Sequence, residues 1–343
     1  MRILVIRNSA MGDVAMVAPV MQALQLQYPE VEVLLLTRAS FHPFFESMAK
    51  VELFSPDYLK RHKGVFGIHR LYQDILATGP IDYVIDLHDV VRSKVLRSFF
   101  NAKGIPVSVI NKGRKEKKAL VKSIDKQPLQ HTVLRYAEAF SNAGFPLVPS
   151  NKTSILVANE QKIMAKSYLN GASKLKIGIA PLAKHSLKVW PEQNMVELMK
   201  LISQKVDASF YLFGDKNEAA QLNQITAEVK NTINLAGKTS LQQELAIMSQ
   251  LNFMIAMDSA NMHMASLVGT KVISIWGATD PIAGFGAWGQ SEAFSVKIPF
   301  TELPCRPCTV YGKGECSRKD FACMIQLTPE RVLQVLETNQ LLS

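Results

Sequence analysis

The sequence predicts an α/β protein made of two doubly wound domains, each with a parallel sheet. Short apolar runs of strand length alternate along the chain with longer segments of helical periodicity. The length of 343 residues favours two domains over one. A hydrophobic content of 48% and a charged content of 20% suit packed cores rather than a disordered chain.

The first domain is expected over residues 1–155. Its predicted strands are RILVI (2–6), VEVLLLT (31–37), VELFS (51–55), IDYVIDLH (81–88) and VSVI (107–110). Its predicted helices are GDVAMVAPVMQALQLQ (12–27), FHPFFESMAK (41–50) and LRYAEAFSNAG (134–144). Pro19 lies inside the first of these helices, where a proline costs roughly 3 kcal/mol. We therefore expect a kink there or a different helix boundary.

The second domain is expected over residues 156–325, after a linker with two prolines, FPLVPSNKTSI (145–155). Its predicted strands are KIGIAP (176–181), SFYLFG (209–214), FMIAMD (253–258) and KVISIWG (271–277). Predicted helices begin near Pro191, Glu218 and Ala260, and a closing helix occupies 326–343 with Thr328 as N-cap and Pro329 at its first position. Two Rossmann-like domains facing a cleft are the architecture that this order predicts.

The charge is strongly basic and unevenly distributed. The net charge is +10, and residues 1–150 contain 20 Lys/Arg against 13 Asp/Glu. The segment KGRKEKKALVKSIDK (112–126) contributes seven basic and two acidic residues. Such charge attracts anions, including phosphates, sugar acids and acidic lipid, although a solvated lysine-rich helix explains it equally well. No zinc-finger spacing or RNA-recognition motif accompanies it, so no nucleic acid partner is expected.

The chain starts with a strand after Met1 and Arg2, without a secretory apolar segment or an apolar run of about 20 residues. We expect a cytoplasmic protein, with a peripheral contact to the inner face of the inner membrane left open. Four cysteines fall within 19 residues, namely Cys305, Cys308, Cys316 and Cys323. Their spacing suggests either a structural zinc site or reduced structural thiols, and excludes a disulfide-stapled scaffold.

Several common enzyme motifs are missing. The turn after the first strand, NSAMGD, has one glycine where a dinucleotide-binding turn needs three, and the second strand ends in Thr37–Arg38 rather than in an acid. A dehydrogenase is therefore not favoured. The GKT at 237–239 lacks the earlier glycine of a P-loop, and neither HExxH nor G-x-S-x-G occurs.

Polar residues instead follow several strands, where open α/β sheets bind ligands. Asp13 follows the first strand beside Gly12 and is a candidate for proton chemistry. In the second domain, APLAKHSLKVWPEQN (180–194), FGDKNE (213–218) and MDSANMH (257–263) each lead into a helix. A helix N-terminus with a lysine nearby favours phosphate. These loops therefore predict an anion site.

Four motifs are spread over nearly the whole length of the chain. These are SAMGDV, KVWPEQN, MDSANMHMASLVGTKVISIWGATDP (257–281) and the cysteine-bearing PCRPCTVYGKGECSRKDFACM (304–324). In these motifs the chain resembles glycosyltransferase family 9, the ADP-heptose:lipopolysaccharide heptosyltransferases of Gram-negative bacteria. The resemblance implies a GT-B fold and an inverting, metal-independent transfer of heptose from ADP-heptose to the inner core of lipopolysaccharide, with no cofactor required.

The resemblance also implies roles for single residues. Asp13 falls on the family's catalytic base, and Lys188 on the lysine that neutralises the diphosphate. The implied donor site comprises Gly12, Lys184, Glu218, Asp258, Ser259, Ala260 and His263, with Ser259–Ala260 standing where the family usually has Thr–Gly. Basic residues of the first domain are the candidates for binding an acidic acceptor: Lys60, Arg61, Lys63, Arg92, Arg114 and Lys117.

Two other functions remain open at this point. The first is another GT-B enzyme that uses a UDP- or GDP-sugar as a transferase or an epimerase, because the residues that read the base are not identifiable. The second is a protein that binds anions or nucleic acid without catalysis, for which the net charge of +10 is the only support.

Overall fold

The computed structural model describes residues 1–169 and 173–343, which divide into two compact units. Unit 1 comprises residues 1–112 and 132–155, and unit 2 comprises residues 113–131 and 156–343. The sequence had assigned 113–131 to the first domain, and the structure differs there. The basic segment packs with unit 2, partly because the Lys117 ammonium lies 4.0 Å from the centre of the Phe285 ring.

Unit 1 is a five-stranded parallel sheet with helices. Its strands are β1 (Arg2–Ile6), β2 (Glu32–Leu36), β3 (Val51–Phe54), β4 (Tyr83–Asp86) and β5 (Val107–Val109), in the order β3-β2-β1-β4-β5. Its first four helices are α1 (Met11–Ala15), α2 (Ala18–Gln27), α3 (Gly64–Ala77) and α4 (Val91–Ala102). Helix α5 (Arg114–Lys122) belongs to unit 2, and α6 (Thr132–Ser141) returns to unit 1.

The predicted first helix is two helices in the structure. Helix α1 ends at Ala15, and α2 starts at Ala18 with Pro19 in its first turn. A proline is well tolerated there because the first N–H groups of a helix have no partner within the helix. The predicted helix over 41–50 is instead a 3-10 turn over Ala39–Phe44 that contains Pro43.

Unit 2 is a six-stranded parallel sheet. Its strands are β6 (Leu175–Ala180), β7 (Ala208–Leu212), β8 (Thr232–Asn234), β9 (Phe253–Met257), β10 (Lys271–Ile275) and β11 (Ser295–Val296), in the order β11-β10-β9-β6-β7-β8. The remaining helices are α7 (Asn159–Ala165), α8 (Glu192–Lys205), α9 (Ala219–Glu228), α10 (Leu241–Met248), α11 (Ala260–Leu267), α12 (Ala322–Ile325) and α13 (Pro329–Thr338).

The final helix forms as the sequence predicts. The Thr328 hydroxyl accepts a hydrogen bond from the backbone N–H of Arg331, and Pro329 is the first helical residue. Its apolar side chains Val332, Leu333 and Leu336 are buried in the core of unit 2. The helix therefore completes this unit rather than standing apart from it.

Both sheets are doubly wound around their first strand. In unit 1 the chain moves outward from β1 through β2 to β3, and then crosses back to place β4 on the other side of β1. Unit 2 repeats this order around β6, with β7 on one side and β9 on the other. The loops that follow two such neighbours diverge and leave a crevice that binds ligands in open α/β sheets. The expected sites are therefore after β1 and β4, and after β6 and β9.

Across the residues that the structure describes, no helix combines the length and the apolar composition needed to span a bilayer. The expected arrangement of the two domains around a cleft stays a prediction.

Candidate active site

The carboxylate of Asp13 lies in the turn after β1, at the switch point of unit 1. Its Oδ2 atom lies 2.7 Å from Nη2 of Arg7 and accepts a hydrogen bond from the Ala10 N–H at 3.2 Å. The side chain is 30% exposed. Asp13 is thus held from one side while part of its surface stays open to solvent, as a group that receives a proton from a substrate requires.

Arg7 is the group that fixes Asp13. It is the residue directly after β1, and it is almost completely buried. Its Nη1 atom donates to the Leu87 carbonyl at 2.7 Å, and its guanidinium lies 5.7 Å from the centre of the Tyr136 ring. The Tyr136 hydroxyl donates in turn to the backbone carbonyl of Asp13 at 3.1 Å. Two buried side chains therefore hold the turn that carries the carboxylate.

The loop after β4 contributes a neutral histidine to the same place. The Nε2 atom of His88 lies 3.3 Å from the Ser9 hydroxyl, which connects the loops after β1 and β4. Burial, followed by the Arg7 and Lys112 cations, lowers the pKa of His88 to about 3. The ring is therefore uncharged at neutral pH and can exchange hydrogen bonds with a sugar hydroxyl without adding charge.

Asp86, the last residue of β4, has a structural role. It is completely buried, and its carboxylate accepts from the N–H groups of His88 and Asp89 and from Arg97 Nη1, at 2.7–2.9 Å. These bonds satisfy a charge that would otherwise be costly to bury. The Asp86 carboxylate therefore fixes the loop after β4. Of the two acids Asp13 and Asp86, Asp13 is the one that is exposed.

Unit 2 joins a lysine, an aspartate and a threonine from three strand ends. Lys188 Nζ lies 2.7 Å from Oδ2 of Asp258, which also accepts a hydrogen bond from the Thr279 hydroxyl at 2.8 Å. Lys188 follows β6, Asp258 follows β9 and Thr279 follows β10, and these three strands are neighbours. The Lys188 side chain is 15% exposed, so its charge is oriented at the switch point yet accessible.

Further cations surround this group. Burial is the first cause that lowers the pKa of His185, and the cations Lys188, Lys313 and Lys184 are the next. The backbone of Gly312 lies against Lys188, because a Cβ atom on this glycine would come within 2.6 Å of the lysine side chain. The loop over 184–188 and the cysteine-bearing segment thus build one basic region, which favours a phosphate-bearing ligand.

Glu218 lies at the end of β7, as expected. Its Oε2 atom accepts from the Asp215 N–H at 2.7 Å, and burial raises its pKa. A Cβ atom on Gly214 would come within 2.9 Å of the same oxygen. The glycine after β7 therefore allows the carboxylate to fold back over the turn.

The segment after β9 forms the predicted helix start. Ser259 is the N-cap of α11, which begins at Ala260, and His263 is buried one turn later. The Ser259 hydroxyl is buried and makes no hydrogen bond to the described part of the chain. An N-cap hydroxyl without a partner at a helix start is suited to an anionic ligand.

The six candidate acceptor residues belong to different units. Lys60, Arg61, Lys63 and Arg92 belong to unit 1, whereas Arg114 and Lys117 lie on α5 in unit 2. Arg61 forms a bidentate pair with Asp74, with both distances at 2.6 Å. The Arg92 guanidinium lies 4.8 Å from the centre of the Tyr58 ring. Lys117 is 4% exposed, so we no longer regard it as an available cation.

The four cysteines line one small cavity of about 10 Å³ as free thiols, together with the fully buried Arg306. Within residues 1–169 and 173–343, no three His, Cys, Asp or Glu side chains are placed to hold a metal ion. Burial raises the pKa of Cys323 to about 11, and that of Cys308 also rises. The choice between reduced structural cysteines and a zinc site stays a prediction.

The family model of glycosyltransferase family 9 (heptosyltransferase) matches residues 68–313. The chain belongs to this family. It is therefore a glycosyltransferase, and its two Rossmann-like units correspond to the GT-B fold that the sequence predicted.

Curated relatives agree with the family. The chain is 24% identical to lipopolysaccharide heptosyltransferase 2 of Escherichia coli K12 over 356 residues, covering 98% of this chain and 97% of the relative. It is also 24% identical to the lipopolysaccharide core heptosyltransferase OpsX of Haemophilus influenzae over 281 residues, covering 81% and 79% of the two chains.

Solved structures share the fold. A family 9 glycosyltransferase from Veillonella parvula superposes with a TM-score of 0.77 at 18% identity, covering 99% of this chain and 97% of the other. The ADP-heptose lipopolysaccharide heptosyltransferase II of E. coli gives 0.70 at 22% identity, covering 100% and 98%. The E. coli heptosyltransferase WaaC with ADP gives 0.69 at 19% identity, covering 99% and 100%.

Proposed function

We propose that this glycosyltransferase transfers heptose from ADP-heptose to the inner core of lipopolysaccharide, with inversion at the sugar and with Asp13 as the general base. The relatives' names support the donor and the acceptor class. The observation that carries the mechanism is the partly exposed carboxylate of Asp13, fixed by Arg7 at the switch point of unit 1.

Asp13 has the chemistry that the acceptor needs. A sugar hydroxyl is a weak nucleophile, and a positioned carboxylate that takes its proton as the new bond forms contributes roughly 10²–10⁴-fold to the rate. Among the neighbouring acids, Asp86 is completely buried and fully hydrogen-bonded. One base without a second nucleophile favours a single displacement, which inverts the anomeric configuration.

The leaving diphosphate gains negative charge as the bond to the sugar breaks. In the proposal Lys188 stabilises this charge, and its ion pair with Asp258 sets the direction of the ammonium. The N–H groups at the start of α11 and the nearby Lys184 supplement it, and Glu218 accepts from the ribose. Lysine and helix N–H groups would then supply the charge that a divalent cation supplies in other enzymes.

An acidic acceptor fits the cations of unit 1. Lys60, Lys63 and Arg92 are exposed or half-exposed and follow β3 and β4, on the same edge of the sheet as Asp13. Inner-core lipopolysaccharide bears carboxylates and phosphates, which these side chains can bind.

The test is transfer from ADP-heptose to defined, truncated core acceptors, followed by mass spectrometry of the product. NMR of the new glycosidic bond reads its configuration, and the assay is repeated in EDTA. We expect one added heptose, inverted configuration and full activity in EDTA. Transfer from UDP- or GDP-sugars instead, or binding of short nucleic acids without any transfer, would contradict the proposal.

A further inference from the structure

Large apolar side chains are exposed within a short stretch of sequence, which covers the loop between β3 and α3 and the first turn of α3. Leu59 is 87% exposed, Val65 66% and Phe66 85%. Single exposed apolar residues are ordinary on protein surfaces. Three exposed apolar residues within eight positions of the sequence are not explained in this way. We refer to residues 57–66 as the docking segment.

The backbone of the docking segment is held by its own hydrogen bonds. The Asp57 carboxylate accepts from the N–H groups of Leu59 and Lys60 at 3.2 and 3.0 Å, and the Asp57 N–H donates to Nδ1 of His62 at 2.8 Å. The His62 Nε2 atom lies 2.8 Å from Asp74 of helix α3. The segment therefore presents its apolar side chains from a built turn rather than from a loose loop.

Gly67 shows how closely this turn packs. A Cβ atom at this position would lie 2.3 Å from the carbonyl carbon of His62. The first turn of α3 can approach the preceding loop only because residue 67 lacks a side chain. This approach packs the first turn of α3 against the backbone of His62 in the docking segment.

The exposed apolar side chains are accompanied by positive charge. Lys60, Arg61 and Lys63 are exposed, and Arg70 follows Phe66 by four residues, on the same face of α3. The nearby acids are occupied, because Asp57 accepts backbone N–H groups and Asp74 pairs with Arg61 and His62. The surface thus combines apolar side chains with the exposed cations Lys60, Lys63 and Arg70, whereas Arg61 is paired with Asp74.

We propose that the docking segment binds the surface of an anionic phospholipid bilayer. Apolar side chains that enter the acyl boundary, flanked by cations that contact lipid phosphates, are the combination with which proteins lie on such membranes. Self-association is disfavoured, because each copy of the chain carries a net charge of +10. The proposal goes beyond the glycosyl transfer described above, since vesicle binding needs neither donor nor acceptor.

The first test compares apolar substitutions by vesicle co-sedimentation of the full chain. Vesicles contain phosphatidylcholine alone or with about 30% phosphatidylglycerol, which supplies the negative surface. The control, Leu26→Ser with Val148→Ser, removes apolar residues of unit 1 that are 74% and 79% exposed elsewhere. We expect Leu59→Ser with Phe66→Ser to weaken binding to the anionic vesicles roughly tenfold or more, with the control unchanged.

The second test separates local from overall charge. We compare two double variants that change the net charge equally. One combines Lys60→Glu with Lys63→Glu, and the other combines Lys115→Glu with Lys118→Glu. All four lysines are exposed. We expect the first pair to lose roughly tenfold in affinity and the second pair, on α5, to lose far less. Equal losses would show nonspecific attraction of a basic protein and overturn the proposal. Absence of binding by the unaltered chain, or equal binding to neutral vesicles, would overturn it too.

Two further measurements keep the outcome independent of folding and of catalysis. The Leu59→Ser, Phe66→Ser variant should melt within about 2 °C of the unaltered chain, because substitutions of exposed residues usually change stability little. It should also retain transfer to a delipidated, water-soluble acceptor. Failure of transfer by the unaltered chain would contradict the proposed function while leaving the vesicle result to decide the docking segment. A dimer in size-exclusion chromatography that this variant abolishes, without vesicle binding, would assign the segment to a protein interface.

Discussion

At the scale of single residues, the proposed chemistry depends on the carboxylate of Asp13. Asparagine has almost the same shape and can still meet the Ala10 N–H, but it cannot accept a proton from a sugar hydroxyl. We expect Asp13→Asn to lower kcat by roughly 10²–10⁴-fold, down to the assay limit, while ADP binds normally. Calorimetry with ADP measures nucleotide binding, and analysis of the product measures kcat. Near-normal turnover would exclude Asp13 as the base.

Arg7 should act through Asp13 as a positioning residue. Its planar guanidinium reaches the Asp13 carboxylate and the Leu87 carbonyl at once, both at 2.7 Å. A lysine is a single point charge and cannot reproduce this geometry. We expect Arg7→Lys to lower kcat roughly tenfold or more, because a small displacement of the base is costly. Little change in the Kd for ADP and in Tm would distinguish this effect from a general loss of structure.

Lys188 is expected to affect both binding and rate. Its substitution by alanine removes the cation and leaves the buried Asp258 with the Thr279 hydroxyl as its partner among residues 1–169 and 173–343. We expect Lys188→Ala to raise the Kd for ADP roughly tenfold or more and to lower kcat as well, because the diphosphate gains charge in the transition state. Thermal shift measures the binding of ADP, and steady-state kinetics measure kcat. An unchanged affinity for ADP would remove the role at the diphosphate.

At the scale of elements, α10 contains a carboxylate that should weaken the fold at neutral pH. Glu244 lies in the first turn of α10, and burial raises its pKa from 4.5 to about 7. In the unfolded chain the same group ionises near pH 4.5. The folded state therefore binds more protons between these values, and its stability falls as the pH rises from 4.5 to 7.

Replacing this carboxylate by a neutral amide should remove that loss. We expect Glu244→Gln to be more stable than the unaltered chain at pH 8 by an amount on the order of 2 kcal/mol, with little difference near pH 4. Urea denaturation of both chains across this range measures the difference. A difference that is independent of pH would contradict the assignment.

Sequence periodicity was most reliable for the strands. Asp13 could be proposed because it stands after an apolar run, and parallel strands align such ends at one edge. The roles of Lys188 and Asp258 came from the resemblance to the family. The sequence predicted an interruption of the first helix at Pro19, but it did not show that the segment forms two separate helices. A proline inside a helical pattern is compatible with either a kink or a new first turn.

The residues that support the site could not be found in this way. Tyr136 reaches Asp13 across 123 residues of sequence, and Thr279 reaches Asp258 across 21. Such pairs arise from tertiary packing and leave no local pattern. Arg7 lies just after the predicted strand over 2–6 and gave no signal of its own. Lys313 belongs to the cysteine-rich segment, whose spacing suggested a metal site instead.

At the scale of the whole molecule, the basic segment over 112–126 illustrates a limit of composition. Its charge was counted with the first domain, yet α5 packs with unit 2 and buries Lys117 against Phe285. Counting charges along the sequence assigns a cation to a domain, but only packing shows whether that cation is available. The exposed cations of the docking segment had no such ambiguity, because they lie between β3 and α3 of unit 1.

The division of labour between the two units can be tested by hydrogen exchange with and without ADP. The candidate phosphate loops follow β6 and β9, and Glu218 follows β7, all in unit 2. Bound nucleotide would restrict the opening of these loops. We expect the greatest protection by ADP over 184–191, 214–218 and 258–263. Protection centred on residues 8–16 instead would place the nucleotide beside Asp13 and make the carboxylate a donor ligand rather than the base for the acceptor.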